Sequence, residues 1–431
     1  MRSSLRILVA ALPLLAAPAA AQFSQYTAPG TLLGRPASKQ GQLEKAVDEA
    51  RWHLGPLRLA PWIGLRDAAW VTDVFAGSPG AEKPDFTVTL GAGLQGVLPM
   101  GPKTYLTLDA LPEYVYWQKQ SERRRLDGQY GLGLYGFFNR LTASAAVHRV
   151  EEQTIVSSEF QQRIHTRQES VDGSLELELR PSLYVFTSAR RSRTTHLLDV
   201  AERNDPRIPS FEQLDREESV LRAGVELRPG DRFSIAAGVE RSVADFLNAA
   251  NDRSNSGVSP LLDLAWTEKH LQVQTSLVFR NLSARGGSRF TSFDGVSGQA
   301  QVTFTPRWRF SYALYGGRDL SYSLEGSYPW FEDNRYGAAV IARVGHDATV
   351  TVFGEQGTHD YASGVLAGPP RQDDFSAYGT NLRFPLRKRA ELSMGLVHTR
   401  LDSAIPGFDQ SLTVFRASLE ISVFGGRLTV R

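Results

Sequence analysis

From Asp85 onward, apolar and polar side chains alternate in stretches of about ten residues. Turns of a few residues and longer polar loops take turns in joining these stretches. Residues 171–179 show the unit: Val171, Leu175, Leu177 and Leu179 hold one parity, and Asp172, Ser174, Glu176 and Glu178 the other. Successive side chains of a strand point to opposite faces, so each stretch has one apolar and one wet face. The division recurs at 86–94, where Phe86, Val88, Leu90, Ala92 and Leu94 oppose Thr87, Thr89, Gly91 and Gly93, and again at 219–228, 296–305 and 415–423. When nearly every strand of a long chain is divided this way, the pattern predicts an all-β, antiparallel transmembrane β-barrel with lipid outside and water inside.

Short turns are expected at 101–103, 139–140, 180–182, 229–231, 268–270, 306–307, 345–347 and 387–389, where Pro, Gly and charged residues cluster. Each joins two strands, and a strand at 59–74 and another at 411–424 bring the count to about 18, even as single-chain barrels require. Longer connections fall at 75–84, 118–128, 154–168, 194–217, 246–257, 282–294, 322–334, 358–375 and 402–410. These are expected outside the cell, and 194–217, the longest, either folds into the lumen or covers the outer mouth. Tyr114, Tyr116, Trp117, Phe137, Phe138, Trp266, Trp308, Phe310, Tyr378 and Phe384 lie near strand ends, where amphipathic rings suit the lipid–water boundary.

The first residues read as a secretory signal, 1–21: Arg2 and Arg6, an apolar run over 7–18, then Ala19-Ala20-Ala21. That run is shorter than the roughly 20 residues of a spanning helix. Residues 22–56 are expected as a periplasmic segment, irregular to 37 and helical over 38–53, where Leu43, Ala46, Val47 and Ala50 keep helical spacing between Ser38 and Gly55. This helix is either tucked against the barrel mouth or serves as a plug or docking handle. The barrel itself is assigned to 57–431.

Composition removes several function classes. There is no cysteine, which excludes disulfides and thiolate chemistry, and the net charge of +2 offers no footprint for nucleic acid. The 8 histidines are dispersed without metal-ligand spacing. Ser144 and His148 share a strand face, but four residues of strand put them about 13 Å apart, too far for a nucleophile–base pair. Asp373-Asp374 reads as solvated loop charge rather than a calcium site. No catalytic residue, metal site or cofactor is expected, and an enzyme acting on outer-membrane lipid is the remotest reading. What remains is the lumen, lined on the wet parity by Asp109, Glu113, Asp172, Glu176, Glu178, Arg180, Arg222, Glu226, Arg228, Asp263, Arg280 and Arg383. Charges of both signs either pair across strands or line a hydrated channel without strong ion selectivity.

Four stretches, "LRLAPWIGLRDAAWVTDVF", "VTLGAGLQGVLP", "LELELRPSLYVFTSARRSRT" and "YGTNLRFPLRKRAELSMGL", resemble the beta-barrel porin 2 family of exopolysaccharide and capsule export clusters. The resemblance covers roughly 57–424. It implies secretion of a long polysaccharide through the barrel in concert with a periplasmic polysaccharide-export protein. Arg387, Lys388 and Arg389, on the short-turn side, are the candidates for docking that partner. A general diffusion or nutrient-uptake porin is the alternative. The chain departs from the usual aromatic terminus of such barrels, since Gly425–Arg431 follow Phe424.

Overall fold

A computed structural model describes residues 39–422 apart from 51, 75–82, 199–201, 204–208, 308, 346–347, 363–369, 388–389 and 406–407. The expected signal peptide, the irregular stretch to 37 and the terminus around Phe424 therefore lie outside the described residues. Helix α1 spans Lys39–Glu49, inside the expected 38–53. Strand β1 (Trp52–Leu54) folds back on the start of β2 (Leu57–Val71) around Gly55, whose φ of +60° is open to glycine without strain.

The remaining strands are β3 (Asp85–Pro99), β4 (Thr104–Trp117), β5 (Arg125–Phe137), β6 (Leu141–Ser157), β7 (Phe160–Arg180), β8 (Leu183–His196), β9 (Arg216–Leu227) and β10 (Phe233–Phe246). They continue as β11 (Asn255–Thr267), β12 (Leu271–Ala284), β13 (Phe293–Arg307), β14 (Phe310–Ser321), β15 (Phe331–Val344), β16 (Ala348–Tyr361), β17 (Gln372–Arg387), β18 (Ala390–Asp402) and β19 (Gln410–Ser422). Each pairs antiparallel with the next, and β19 returns to β2 through partners such as Phe415↔Trp70 and Leu419↔Leu65. The result is a closed barrel of the 18 strands β2–β19.

The side-chain parity is the expected one. Leu221, Val225 and Leu227 stand about half exposed on the outer face, while Glu226 and Arg228 are buried inside. Val302 and Phe304 point out and Ser297 and Thr303 in. Leucine and valine side chains in this number, exposed on a sheet that has no open edge, are stable only against hydrocarbon. The barrel belongs in the bacterial outer membrane.

Three expectations need correction. Residues 154–168 are not a loop: β6 and β7 stay paired through Glu152↔Thr166 and Ile155↔Arg163, leaving only Ser158 and Glu159 as the turn. The alternation vanishes there because both faces of the hairpin meet protein, so Gln153, Gln161, Gln162 and Arg163 are all buried. The turn placed at 306–307 falls after Arg307, because an irregularity between Phe304 and Arg307 lengthens β13. Trp117 and Phe137 are buried inside the barrel rather than set at the lipid boundary, since their neighbours Tyr116 and Phe138 already occupy the outer parity.

Candidate functional site: a bridged lumen

The β6–β7 hairpin leaves the wall between β5 and β8 and reaches the opposite side of the barrel. Ser158 donates to Asp333 on β15 at 2.7 Å. The Gln161 amide donates to Gln410 on β19 at 2.7 Å, and the Gln410 side chain donates back to the Glu159 carbonyl at 3.1 Å. Glu159, fully buried, accepts from the Leu324 amide at 2.7 Å, from Ser323 Oγ at 3.0 Å and from Arg371 Nη1 at 3.2 Å. Arg371 also reaches Glu325 at 2.7 Å and Asp373 at 2.6 Å, and its guanidinium lies 3.9 Å from the centre of the Tyr361 ring. Asp373, expected as solvated loop charge, is instead fully buried at the start of β17, where the chain has already entered the sheet, and accepts from Ser403 Oγ and the Ala404 amide.

The hairpin tip and the connections after β14, β16 and β18 thus meet at one charged knot. A buried carboxylate is tolerable only when paired and hydrogen-bonded, which Arg371 and the Ser323–Leu324 backbone provide. Burial nonetheless pushes the Glu159 carboxyl above the usual range, with the Leu324 amide, Arg371 and Ser323 pulling partly back. Burial likewise lowers the guanidinium of Arg253, which donates to the Ser323 carbonyl, to about 10.

Two further contacts stiffen the bridge. Ile164 of the hairpin packs with Leu198, Phe211, Leu214, Ala244, Phe246 and Leu324, so the described part of the 194–217 connection braces the bridge from above β8 and β9. At its base, Arg123 Nη2 donates to the Arg163 carbonyl at 3.2 Å and pairs with Glu202 at 2.7 Å. Nearby on the inner wall, Arg66 pairs with Glu113, and Arg416 stands 4.0 Å from Asp67, a bulge residue with φ of +50°.

Below the bridge, the sequence-predicted lining residues take up mutual contacts. Arg228 binds Glu176 and Glu226, each at 2.6 Å, and lies over the Tyr184 ring. Arg222 and Arg280 converge on Glu240, at 2.6 and 3.2 Å. Gln95 donates to Asp109, His148 stands 3.8 Å from Asp172, and Arg383 pairs with Glu391 at 2.7 Å. Asp263 and Glu178 face inward half-buried, and Arg180 is exposed where β7 meets its turn. Ser144, 2.7 Å from Ser174 Oγ, makes no pair with His148. Among the described residues no cluster of His, Asp or Glu could hold a metal.

The sequence reading missed Glu240, which shares the inward parity of its strand, and the knot residues Glu159 and Arg371. Nothing local in the chain marks Glu159, because the partners of its carboxylate, Ser323, Leu324 and Arg371, lie more than 160 positions away, and Arg371 beside Asp373 reads as an ordinary near-neighbour ion pair. At the periplasmic end, Leu43 and Ala46 of α1 are buried against Val97, Tyr105 and Phe137, and the Lys39 ammonium lies 5.1 Å from the Tyr135 ring centre. The helix therefore sits within the barrel mouth. Of the docking candidates, Arg387 ends β17, and Lys388 and Arg389 lie outside the described residues.

No family model and no curated relative matches the sequence. Solved structures do. OccK2 (OpdF) of Pseudomonas aeruginosa superposes with a TM-score of 0.52 at 13% identity, covering 85% of this chain and 98% of its own. OpdO of the same organism gives 0.51 at 12% identity, covering 85% and 97%. OccK2 was also solved in complex with glucuronate, and that structure gives 0.51 at 12% identity over 85% and 98%. At such identities the likeness is one of fold: an outer-membrane porin barrel.

Proposed function

We propose that this barrel is a porin for diffusion or uptake of small hydrophilic solutes, the reading set out above as the alternative to polysaccharide export. The bridge carries the argument. An 18-stranded barrel is about 35 Å across between backbones, from a strand spacing near 4.8 Å and a tilt near 40°. The β6–β7 bridge divides that opening, and its ties to β15 and β19 hold it across the path a long polymer would follow. A stiff extended polysaccharide needs an unobstructed bore, whereas a monomeric sugar or sugar acid passes beside a chord. Closely matched charges on the wall favour polar, weakly charged solutes over strong ion selection. The glucuronate bound to the neighbouring OccK2 makes a sugar acid a suitable first probe.

The test is swelling of liposomes holding the purified barrel, driven by sugars and sugar acids of graded size. Rapid entry of monosaccharides and glucuronate with sharp exclusion of oligosaccharides is expected. Equal permeation by long oligosaccharides would refute the reading and return polymer export to first place. In that event Gln substitutions at Arg387, Lys388 and Arg389 become the next experiment, because an export partner would dock on the short-turn side.

A further inference from the structure

We propose that the outer face of β4–β9 holds a phosphorylated, multiply acylated lipid of the outer leaflet. Outward arginines recur at one height: Arg149 on β6, Arg191 on β8, Arg241 on β10 and Arg318 on β14 each stand eight positions past the first residue of their strand. At about 3.3 Å per residue and a tilt near 40°, that is about 20 Å above the periplasmic ends, at the far edge of the hydrocarbon band.

On β6–β9 the arginines gather. Register aligns Arg149↔Glu169, Glu169↔Arg193 and Arg193↔Glu217 in one row of outward side chains, with Val147↔Val171 and Val171↔Arg191 in the row beneath. Between the rows, Asp109, Gly131, His148, Ser170 and Ser192 are paired in sequence along the sheet. Their side chains, where present, point inward. What they leave on the outer face is a groove of about 590 Å³, walled below by Leu132, Val147 and Val171 and above by the charged row.

The acids do not saturate the cations. Arg149, Arg167, Arg191 and Arg193 share Glu151, Glu169 and Glu217. Arg193 stands 3.9 Å from Glu217, and the Arg191 and Arg193 side chains remain 72% and 53% exposed. A guanidinium has five N–H donors in a fork that matches phosphate. An apolar wall under a cationic one does not suit a water-soluble anion or a neutral lipid. It fits an acyl chain whose headgroup carries phosphate, as outer-leaflet glycolipids do.

The intact protein, stripped of lipid in detergent, is titrated with bisphosphorylated lipid A, its dephosphorylated form and inorganic phosphate, and bound species are counted by native mass spectrometry. The phosphorylated lipid should be retained about tenfold better than the dephosphorylated one. The R149Q/R191Q/R193Q variant should lose that preference, while R400Q, outward on β18, should keep it. Should the triple variant fail to show heat-modifiable migration, Val147→Trp fills the apolar wall with every arginine in place and should also lose the lipid. Unchanged retention in the folded variants, equal retention of the dephosphorylated form, or equal occupancy by inorganic phosphate overturns the proposal. So does a lipid-free dimer that the triple variant dissociates, which would make a second copy the occupant.

Discussion

At the scale of single residues, the Glu159–Arg371 pair decides whether the bridge stays attached. Arg371→Ala leaves Glu159 and Asp373 buried together without their counter-charge, and breaking one side of a buried pair costs about 3–5 kcal/mol. The hairpin tip should then detach in planar-bilayer recordings, giving higher mean conductance and more open-channel noise, with heat-modifiable migration unchanged. An unaltered trace would show that the knot is not the latch. The pH dependence has a definite sign. The attached tip holds the Glu159 carboxyl above its usual range, whereas a detached, hydrated tip returns it to about 4.3. The attached state therefore binds the proton more tightly, and acid favours attachment. Noise should fall as pH is lowered from the alkaline side toward the ordinary carboxylate range, and Glu159→Gln should flatten that response. Arg371, Glu325, Asp373, Tyr361 and Arg253 surround the carboxyl, so the variant, not the wild-type curve alone, identifies the group.

At the scale of elements, what the sequence reveals depends on which neighbours a segment has. Strands between lipid and water carry their parity openly, so Leu221, Val225 and Leu227 against Arg222, Glu226 and Arg228 could be assigned by eye. The β6–β7 tip has protein on both faces, and Gln153, Gln161 and Gln162 broke the alternation that would have announced a strand. The lining residues were visible as charges on the inward parity, but their partners were not, because pairing such as Arg228 with Glu176 depends on register across two neighbouring strands. Helix α1 was visible through Leu43, Ala46 and Val47, and the barrel mouth was one of the two places open to it, but the residues that receive it were not. Its apolar side rests on Val97, Tyr105 and Phe137 within the mouth. Leu43→Glu would bury a carboxylate against that cluster, an outcome costly enough to expel the helix. Increased protease cleavage near residues 39–49 and a rise in conductance are expected from the periplasmic side. Wild-type protection in that variant would mean the helix is held by something other than this cluster.

At the scale of the whole molecule, the bridge and the barrel are separable. The wall below the bridge closes through β6–β7 partners such as Ser144↔Ser174 and His148↔Ser170, and none of those pairs involves the tip. Seven residues of β6 beyond the wall, 151–157, extend about 23 Å, which is enough to cross most of a bore about 35 Å wide. Replacing 152–166 with a two-residue Asn-Gly turn should therefore leave a barrel that still migrates as folded before heating. Its conductance should rise severalfold, and oligosaccharides excluded by the wild type should enter liposomes. A truncated barrel that folds yet keeps the original size limit would place the constriction elsewhere, with α1 at the opposite mouth as the element to remove next. If instead the limit rises, the route of solutes is set by a segment that makes no contact with lipid, and the eighteen strands around it act as a frame that holds both of its ends.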